Sequence, residues 1–321
     1  MKILVFGSGG VGGYFGGRLA SSGENVTFIA RGRHLAAMQA DGLRIESTLG
    51  NIHVSPVDAT EDPKNAATAD LVMIGVKLWD TETAVQTLAR VVGPETTVAS
   101  FQNGVDSVDI LTRAFGKARV IGGIAHIAAV IDRPGVIRHN GTMQRLTFGE
   151  LDGRRTPRVE QFFAACKKAG IDTVLSDDIQ RVIWEKFVFL VGLSGMTTLT
   201  RQPIGPVRED PETRAMLLKV MREAAAVGRA RRVNLAPDAA EKQLEFTDGL
   251  PATMIASMLG DLQRGRQLEL PWLSGAVVRL GEQSGIATPA NRFICTALKL
   301  HSADAYPLPA SLADGCQRLI R

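Results

Sequence analysis

Short apolar runs alternate with helical stretches over roughly the first 150 residues of the chain. Six runs have the length and composition of β-strands: KILVFG (2–7), NVTFIA (25–30), DLVMIGV (70–76), TTVASFQ (96–102), ARVIGGIAHI (118–127) and VIRHNG (136–141). Strands that alternate with helices in this way are typical of βαβ units. The pattern therefore predicts an α/β domain with a doubly wound, mostly parallel sheet.

The pattern changes from about residue 177 onward. Long segments such as residues 211–231 and 270–284 carry apolar residues at helical spacing, and few strand-like runs remain. A chain of 321 residues is long enough for two cores. We expect an α/β domain over residues 1–174 and an all-helical domain over residues 175–321.

Composition and charge narrow the class of protein. The chain is 45% hydrophobic and 22% charged, which is ordinary for a globular protein. No stretch approaches the roughly 18 uncharged apolar residues of a membrane span, so we expect no membrane association, and the start does not resemble a secretory signal. The net charge of +4 comes from scattered lysines and arginines, so we expect an anionic small molecule as partner and no nucleic acid.

Cysteines and histidines give no sign of a disulfide framework or a metal site. Cys166, Cys295 and Cys316 lie far apart in the sequence, and the five histidines show no i, i+4 pairing. Such cysteine usage favours a reducing cytoplasm, with the thiols as packing residues. We assign no metal.

The segment between the first strand and the first helix is rich in glycine. Gly7, Gly9 and Gly12 form G-x-G-x-x-G. In this motif the first glycine allows a tight turn, the second lets the backbone approach a pyrophosphate, and the third lets helix and strand pack closely. The alternative is a flexible turn. The helix N-terminus favours phosphate, and we expect the cofactor to lie against six residues: Gly7, Ser8, Gly9, Gly10, Val11 and Gly12.

The end of the second strand indicates which dinucleotide binds. NAD-binding domains carry an acidic residue here for the ribose 2′-hydroxyl. This chain reads NVTFIARGRH, with Arg31 at that place and no Asp or Glu. A guanidinium suits a 2′-phosphate and stacks on adenine, so the sequence favours NADP(H). A solvated surface arginine is the alternative.

Eight stretches together resemble the ketopantoate reductase (2-dehydropantoate 2-reductase) family. They span nearly the whole chain: GSGGVGGYFGGRLA, RGRHLAAM, VKLWDTETAV, FQNGVDS, PGVIRHNG, WEKF, SMLGDLQRGRQLEL and GIATPAN. The resemblance implies a dinucleotide-binding Rossmann-type domain over residues 1–174, followed by an all-helical domain for substrate binding and dimerisation over residues 175–321, whose apolar helix faces are compatible with a homodimer. It also implies a cytoplasmic oxidoreductase that uses NADPH to reduce a 2-keto acid to a 2-hydroxy acid, as in ketopantoate reduction for pantothenate biosynthesis.

The resemblance also assigns catalytic residues. Lys186 in WEKF matches the family's catalytic lysine, and Glu269 in RQLEL matches its substrate-anchoring glutamate. A cation aimed at the reacting carbonyl oxygen stabilises the charge that hydride transfer places there and can supply the proton. Glu223 and Asn291 match further polar positions of the helical domain, for which a solvated helix face and a helix cap are the alternatives.

Four more positions match substrate or cofactor contacts of the family. Ser257 matches the serine that binds the carboxylate end of the substrate, and Asp261 an aspartate beside it. Asn103 matches an asparagine near both the nicotinamide and the substrate, and Lys77 a lysine near the cofactor. These roles come from the resemblance alone.

The chain departs from the family on the helix that carries Lys186. The family has substrate-holding asparagines four and eight positions after the lysine, and this chain has Leu190 and Ser194. Residues four apart share a helix face, so we still expect Leu190 and Ser194 to contact the substrate. The helix face that they form is less polar than the corresponding face in the family. Two alternatives stay open: an NADP-dependent oxidoreductase acting on a different, less polar keto acid, and a noncatalytic NADPH-binding sensor.

Overall fold

The computed structural model describes residues 1–66 and 68–301, so Cys316 lies outside the described residues. Contacts divide the chain into two units, Met1–Lys186 and Phe187–Arg321. The division falls within a helix, Ile179–Thr200. The boundary expected after residue 174 lies ahead of it, in the strand Asp172–Leu175.

The first unit is built on one sheet. In chain order its strands are β1 (Lys2–Phe6), β2 (Asn25–Ile29), β3 (Leu43–Ser47), β4 (Ile52–Val54), β5 (Asp58–Thr60), β6 (Leu71–Ile74), β7 (Thr97–Ser100), β8 (Val120–Arg133), β9 (Val136–Glu150) and β10 (Asp172–Leu175). The strand order is β4-β3-β9-β8-β7-β6-β1-β2-β5, with β10 paired to β9. The pairs β3–β4 and β8–β9 are antiparallel, and the other pairs are parallel. The predicted α/β class is confirmed, with a mixed sheet.

Helices cover both faces of this sheet. They are α1 (Gly10–Ser21), α2 (Gly32–Asp41), α3 (Thr81–Leu88), α4 (Asp106–Phe115) and α5 (Pro157–Lys168). Strand β1 supplies apolar side chains to both layers: Ile3 and Val5 pack in the core with α1, α2 and α5, while Leu4 and Phe6 pack in a second core with α3 and α4. Successive side chains of a strand point to opposite faces, so the side chains of this one strand contribute to both cores.

Helix α1 is surrounded by strands, which explains part of its glycine content. It contacts β1, β2, β3, β4, β8 and β9. A Cβ atom at Gly16 would lie 2.7 Å from the Phe28 ring, and one at Gly17 would lie 2.6 Å from Ile45 Cδ1. Both distances are far below van der Waals contact. These two glycines therefore allow close packing of helix against sheet.

The second unit contains helices, and no strand is found in it as far as His301, where the described chain ends. Helix α6 (Ile179–Thr200) continues into it from the first unit, and the later helices are α7 (Ile204–Glu209), α8 (Pro211–Ala230), α9 (Ala239–Asp248), α10 (Ser257–Gln263), α11 (Ser274–Ser284) and α12 (Pro289–Leu298). The predicted all-helical domain is confirmed. The predicted helix over 270–284 begins as a 3₁₀ turn, Leu270–Trp272.

A buried carboxylate in α8 caps α12. Glu223 is only 8% exposed, and its two oxygens accept hydrogen bonds from the backbone N–H groups of Ala290 and Asn291, each at 2.9 Å. The Asn291 side-chain amide donates to the same carboxylate at 2.8 Å. A negative charge stabilises a helix N-terminus. Glu223 is therefore a structural cap and does not lie on a solvated helix face.

Helix α6 passes a test for a membrane span by length and hydropathy alone. Its most apolar 18-residue stretch has a mean hydropathy of 1.4, and 67% of that stretch is buried within the protein. The expectation that no stretch approaches a span overlooked this helix. Extensive burial of this kind is also found in core helices of globular proteins.

Candidate active site

Four neighbouring parallel strands end at one edge of the sheet, and a predicted site residue follows each. The strands lie in the order β7, β6, β1, β2, and in that order Asn103, Lys77, Gly7 and Arg31 come one to three residues after the strand ends. The chain leaves β1 for β2 on one side and later returns to β6 on the other. Such a switch point at the carboxyl ends of the strands is where open α/β sheets bind ligands.

The glycine turn after β1 has the geometry that the motif requires. Gly7 has φ +101°, a left-handed conformation that favours glycine. A Cβ at Gly12 would lie 2.2 Å from the Gly7 carbonyl oxygen, so the helix can approach the turn only without a side chain. Around the Cβ position of Gly9, by contrast, nothing described lies within 4 Å. The turn thus leaves open space beside Gly9, where a pyrophosphate fits.

Neighbouring residues hold this turn in place. Ser8 is buried, and both its hydroxyl and its backbone N–H donate to the Ile29 carbonyl, at 2.9 and 3.2 Å. A Cβ at Gly10 would lie 2.0 Å from the Ala129 carbonyl oxygen of β8. Val11 is half-buried in the first turn of α1. The Gly9 cap of α1 offers no side-chain hydrogen bond to the first N–H groups, so these remain suited to a phosphate.

Two basic residues flank the turn. Arg31 is exposed at the start of α2, and in the described part of the chain no carboxylate forms an ion pair with it. Lys77 is partly exposed, with its Nζ 5.5 Å from the centroid of the Trp79 ring. Both cations therefore lie at the edge where the dinucleotide phosphates are expected.

Lys186 and Asn103 are brought together. The Lys186 Nζ donates to the Asn103 side-chain oxygen at 3.1 Å and to the Ala125 carbonyl at 2.6 Å. Asn103 lies after β7, and Ala125 lies in β8 beyond the last pair that β8 makes with β7. These bonds hold a half-buried ammonium group at the same edge of the sheet as the glycine turn. An ammonium held in this way can stabilise a developing oxyanion and give up a proton.

His126 lies beside this pair. The sequence indicates only that the histidines lack the spacing of a metal site. His126 is next to Ala125 on β8 and opposite Arg145 on β9. Its Nδ1 is buried and has no hydrogen-bond partner among residues 1–66 and 68–301. Burial, together with the charges of Lys186 and Arg145, lowers the pKa of His126 to about 4. The imidazole is therefore neutral at physiological pH, and no sequence pattern signals this environment.

The low pKa of His126 predicts a loss of stability in acid. The pKa rises from about 4 in the folded chain to 6.5 in the unfolded chain, so below pH 6.5 the unfolded state binds a proton that the folded state does not. The free energy of unfolding should fall by about 2 kcal/mol from this group between about pH 7.5 and about pH 5. Urea unfolding should show a smaller fall in His126→Gln, with His53→Gln as the control. An equal fall in all three proteins would contradict this account.

The remaining predicted residues belong to the second unit. Ser257 is exposed at the start of α10, and Asp261, one turn later, is buried with an oxygen 3.4 Å from Arg264 Nη2. Glu269 is 4% exposed and directly precedes the 3₁₀ turn. On α6, Leu190 is half-buried and Ser194 is buried. The described residues contain no group of three or more His, Cys, Asp or Glu residues that could hold a metal ion.

The fold and this edge of the sheet define the class of protein. A glycine turn at a switch point, with basic residues after the neighbouring strands and an oriented lysine at the same edge of the sheet, is the arrangement of an oxidoreductase that uses a nicotinamide cofactor. The family model for ketopantoate reductase PanE/ApbA matches residues 3–153, and the model for its C-terminal domain matches residues 178–302. The chain therefore belongs to the ketopantoate reductase family, whose members are oxidoreductases that act on CH–OH groups.

The matches to relatives of this chain cover at least 94% of each relative's own length. The uncharacterized oxidoreductase YkpB of Bacillus subtilis (strain 168) is 30% identical, over 95% of this chain and 100% of the relative. The 2-dehydropantoate 2-reductase of Mesorhizobium japonicum is 32% identical, over 90% and 94% of the two chains. A crystal structure of a PanE/ApbA family ketopantoate reductase from Ralstonia eutropha JMP134 has a TM-score of 0.86 and 32% identity, covering 94% of this chain and 98% of that one.

The fold extends to more distant proteins. A structure of D-mandelate dehydrogenase with NADH and anilino(oxo)acetate has a TM-score of 0.85 at 21% identity, covering 94% of this chain and 98% of that chain. This likeness shows that the fold is shared. Because a fold hosts different substrates, the substrate of this chain has to be argued from its own residues.

Proposed function

We propose that this chain uses NADPH to reduce a 2-keto acid with a largely apolar side chain to the 2-hydroxy acid. The observation that carries the proposal is the Lys186 ammonium, held by Asn103 and the Ala125 carbonyl at the edge of the sheet that bears the glycine turn. A panel of 2-keto acids assayed for NADPH oxidation tests it. The names of relatives such as the Mesorhizobium japonicum protein favour ketopantoate as the second candidate substrate.

The residues of the chain account for the chemistry of such a reduction. When bound, the reduced nicotinamide supplies a hydride to the keto carbon. Lys186 stabilises the negative charge that develops on the keto oxygen and delivers a proton to it. Asn103 fixes the position of the ammonium group by accepting one of its hydrogen bonds. Because the donor is oriented before the reaction, little reorganisation is needed in the transition state.

Residues of the second unit are proposed to bind the substrate. Ser257, with Asp261 beside it, binds the carboxylate end of the substrate, and Glu269 accepts a hydrogen bond from the hydroxyl group of the 2-hydroxy acid that the reduction forms. Leu190 and Ser194 contact the substrate side chain. A noncatalytic NADPH-binding sensor is the rival function, and the combination of Lys186 with Glu269 argues against it because binding alone requires neither.

Specificity for NADPH is proposed to reside in Arg31. A charge-assisted hydrogen bond to the 2′-phosphate contributes about 1.5 to 3 kcal/mol, so NADPH should bind about ten- to a hundredfold more tightly than NADH. Arg31→Ala should remove most of this preference, while Arg90→Ala, at another exposed arginine, should retain it. Fluorescence titration of the three proteins with both cofactors gives the three ratios of NADPH to NADH affinity. Equal affinity of the wild type for the two cofactors would refute the role of Arg31.

We also propose a cellular location and an oligomeric state for the enzyme. A cytoplasmic location follows from the cysteine usage and from the metabolic role of the family. A homodimer is compatible with the apolar helix faces of the second unit. Light scattering on the purified protein measures the assembly directly, and a monomer at all concentrations would contradict the second proposal.

A further inference from the structure

His34 uses both of its ring nitrogens within the protein. It lies in the first turn of α2, three residues after Arg31, and its Nε2 is 3.0 Å from the Ser8 carbonyl oxygen. The backbone N–H of Gly135 donates to its Nδ1 at 3.0 Å. A carbonyl oxygen only accepts and an N–H only donates, so the proton resides on Nε2 and the ring is neutral.

These two bonds join three segments of the first unit. Ser8 belongs to the glycine turn, Gly135 belongs to the turn between β8 and β9, and His34 itself belongs to α2. The β8–β9 hairpin lies directly on the glycine turn, because the Ala129 carbonyl oxygen occupies the place of a Cβ at Gly10. The Gly135 carbonyl in turn accepts from the backbone N–H of Arg44. One imidazole thus connects the predicted phosphate site to the elements on either side.

We propose that His34 is a positioning residue: it holds the glycine turn and the start of α2 in the arrangement that binds the dinucleotide cofactor. Protonation of His34 then weakens cofactor binding. This inference rests on the proposed role of the glycine turn and Arg31. It assigns to His34 no contact with the substrate or with the reacting atoms.

Protonation acts through the bond to Gly135. An imidazolium ring carries a proton on both nitrogens, so Nδ1–H would face the Gly135 N–H and the hydrogen bond would be replaced by two opposed donors. The bond to Ser8 would remain. The hairpin turn would then separate from His34, and the glycine turn would lose one of its supports.

The surroundings of His34 favour the neutral ring. Burial lowers the pKa of His34 below its ordinary value, while the bond to Ser8 opposes this shift. The glycine turn, residues 7–13, contains no ionisable side chain. Charged and titratable groups lie on the elements around these bonds. They are Arg31 before α2, Arg33 and Asp41 on α2, Arg44 and Glu46 on β3, and His126, Asp132, Arg133, Arg138, His139, Arg145 and Glu150 on the β8–β9 hairpin. Arg133 and Arg138 pair with Glu46 and Asp132.

The experiment compares the pH dependence of dinucleotide binding in the wild type, His34→Gln and His34→Ala. NADH is the probe, because it lacks the 2′-phosphate, whose own titration would complicate the curve. Gln retains a donor for Ser8 and does not titrate. We expect the wild-type Kd to rise about threefold to tenfold more than that of His34→Gln between about pH 8 and about pH 5. His34→Ala should bind about tenfold more weakly than the wild type near pH 8.

His53→Gln is the matched control. His53 makes one hydrogen bond, to the Asp41 carbonyl, and is exposed on β4, so its replacement should leave the wild-type pH profile unchanged. Parallel profiles for the wild type and His34→Gln would overturn the inference about His34 alone. Absence of any dinucleotide binding by the wild type would overturn the proposed function and this inference with it. A profile that flattens only in the His34 variants supports the inference about His34 and the dinucleotide-binding role of the glycine turn.

Discussion

Lys186→Ala should lower turnover of a 2-keto acid by about 10² to 10⁴, the effect expected for a positioned proton donor. The ammonium group is held by Asn103 and the Ala125 carbonyl, and alanine supplies neither the charge nor the proton. The affinity for NADPH should stay nearly unchanged, because the glycine turn and Arg31 are untouched. Steady-state kinetics and cofactor titration on the same preparation measure both quantities.

Controls separate a chemical role from a structural one. Glu185→Ala changes the adjacent residue on α6, whose carboxylate lies 3.9 Å from Arg181, and should leave turnover within about threefold of the wild type. Primary amines added to Lys186→Ala should restore part of the activity, because a small ammonium ion can occupy the vacated place. Wild-type turnover in Lys186→Ala would remove this lysine from the mechanism.

Ketopantoate should be a poorer substrate than alkyl 2-keto acids by roughly ten- to a thousandfold in kcat/KM. Ketopantoate carries a hydroxyl group besides its keto and carboxylate groups, and the two family asparagines on this helix offer amide donors and acceptors. Leu190 supplies neither, and Ser194 supplies a hydroxyl only. A lost neutral hydrogen bond costs about 0.5 to 1.5 kcal/mol and an unpaired buried polar group about 1 to 3 kcal/mol. Because Ser194 still supplies a hydroxyl, we expect a combined loss of about 1.4 to 4 kcal/mol, which corresponds to the stated range of specificity ratios.

The double variant Leu190→Asn, Ser194→Asn should shift the preference toward ketopantoate. Its matched control is Leu199→Asn, which replaces another half-buried leucine of the same helix, outside the row formed by residues 186, 190 and 194. Measuring kcat/KM for ketopantoate and for alkyl 2-keto acids in each protein gives the specificity ratios. Efficient reduction of ketopantoate by the wild type, without a gain in the double variant, would make ketopantoate the substrate.

The central strands could be predicted because their signals are local. The six apolar runs correspond to β1, β2, β6, β7, β8 and β9. The strands β3, β4, β5 and β10 were missed, since they contain charged or polar residues and lie away from the middle of the sheet, and β4 and β5 are only three residues long. The length of β8 was underestimated: the predicted run ends at Ile127, whereas the strand continues through the apolar residues 128–131 to Arg133 and is largely exposed there.

The site was predictable only in part. The glycine motif predicts a specific backbone geometry, and the turn at Gly7, Gly9 and Gly12 has that geometry. The contact between Lys186 and Asn103 joins residues 83 positions apart, and nothing in either local sequence predicts it, so only the resemblance pointed to the pair. The environments of His34 and His126 arise from tertiary packing. A sequence shows that a histidine is present, but it does not show which partners will fix its proton.

The proposed activity is tested most directly by adding 2-keto acids to the purified chain with NADPH and following oxidation of the cofactor, with identification of the product. The account predicts that NADPH is consumed in equal amount to the 2-hydroxy acid formed, and that Lys186→Ala loses this activity while still binding NADPH. Binding of NADPH by the wild type without consumption in the presence of any 2-keto acid, ketopantoate included, would contradict it and favour a sensor.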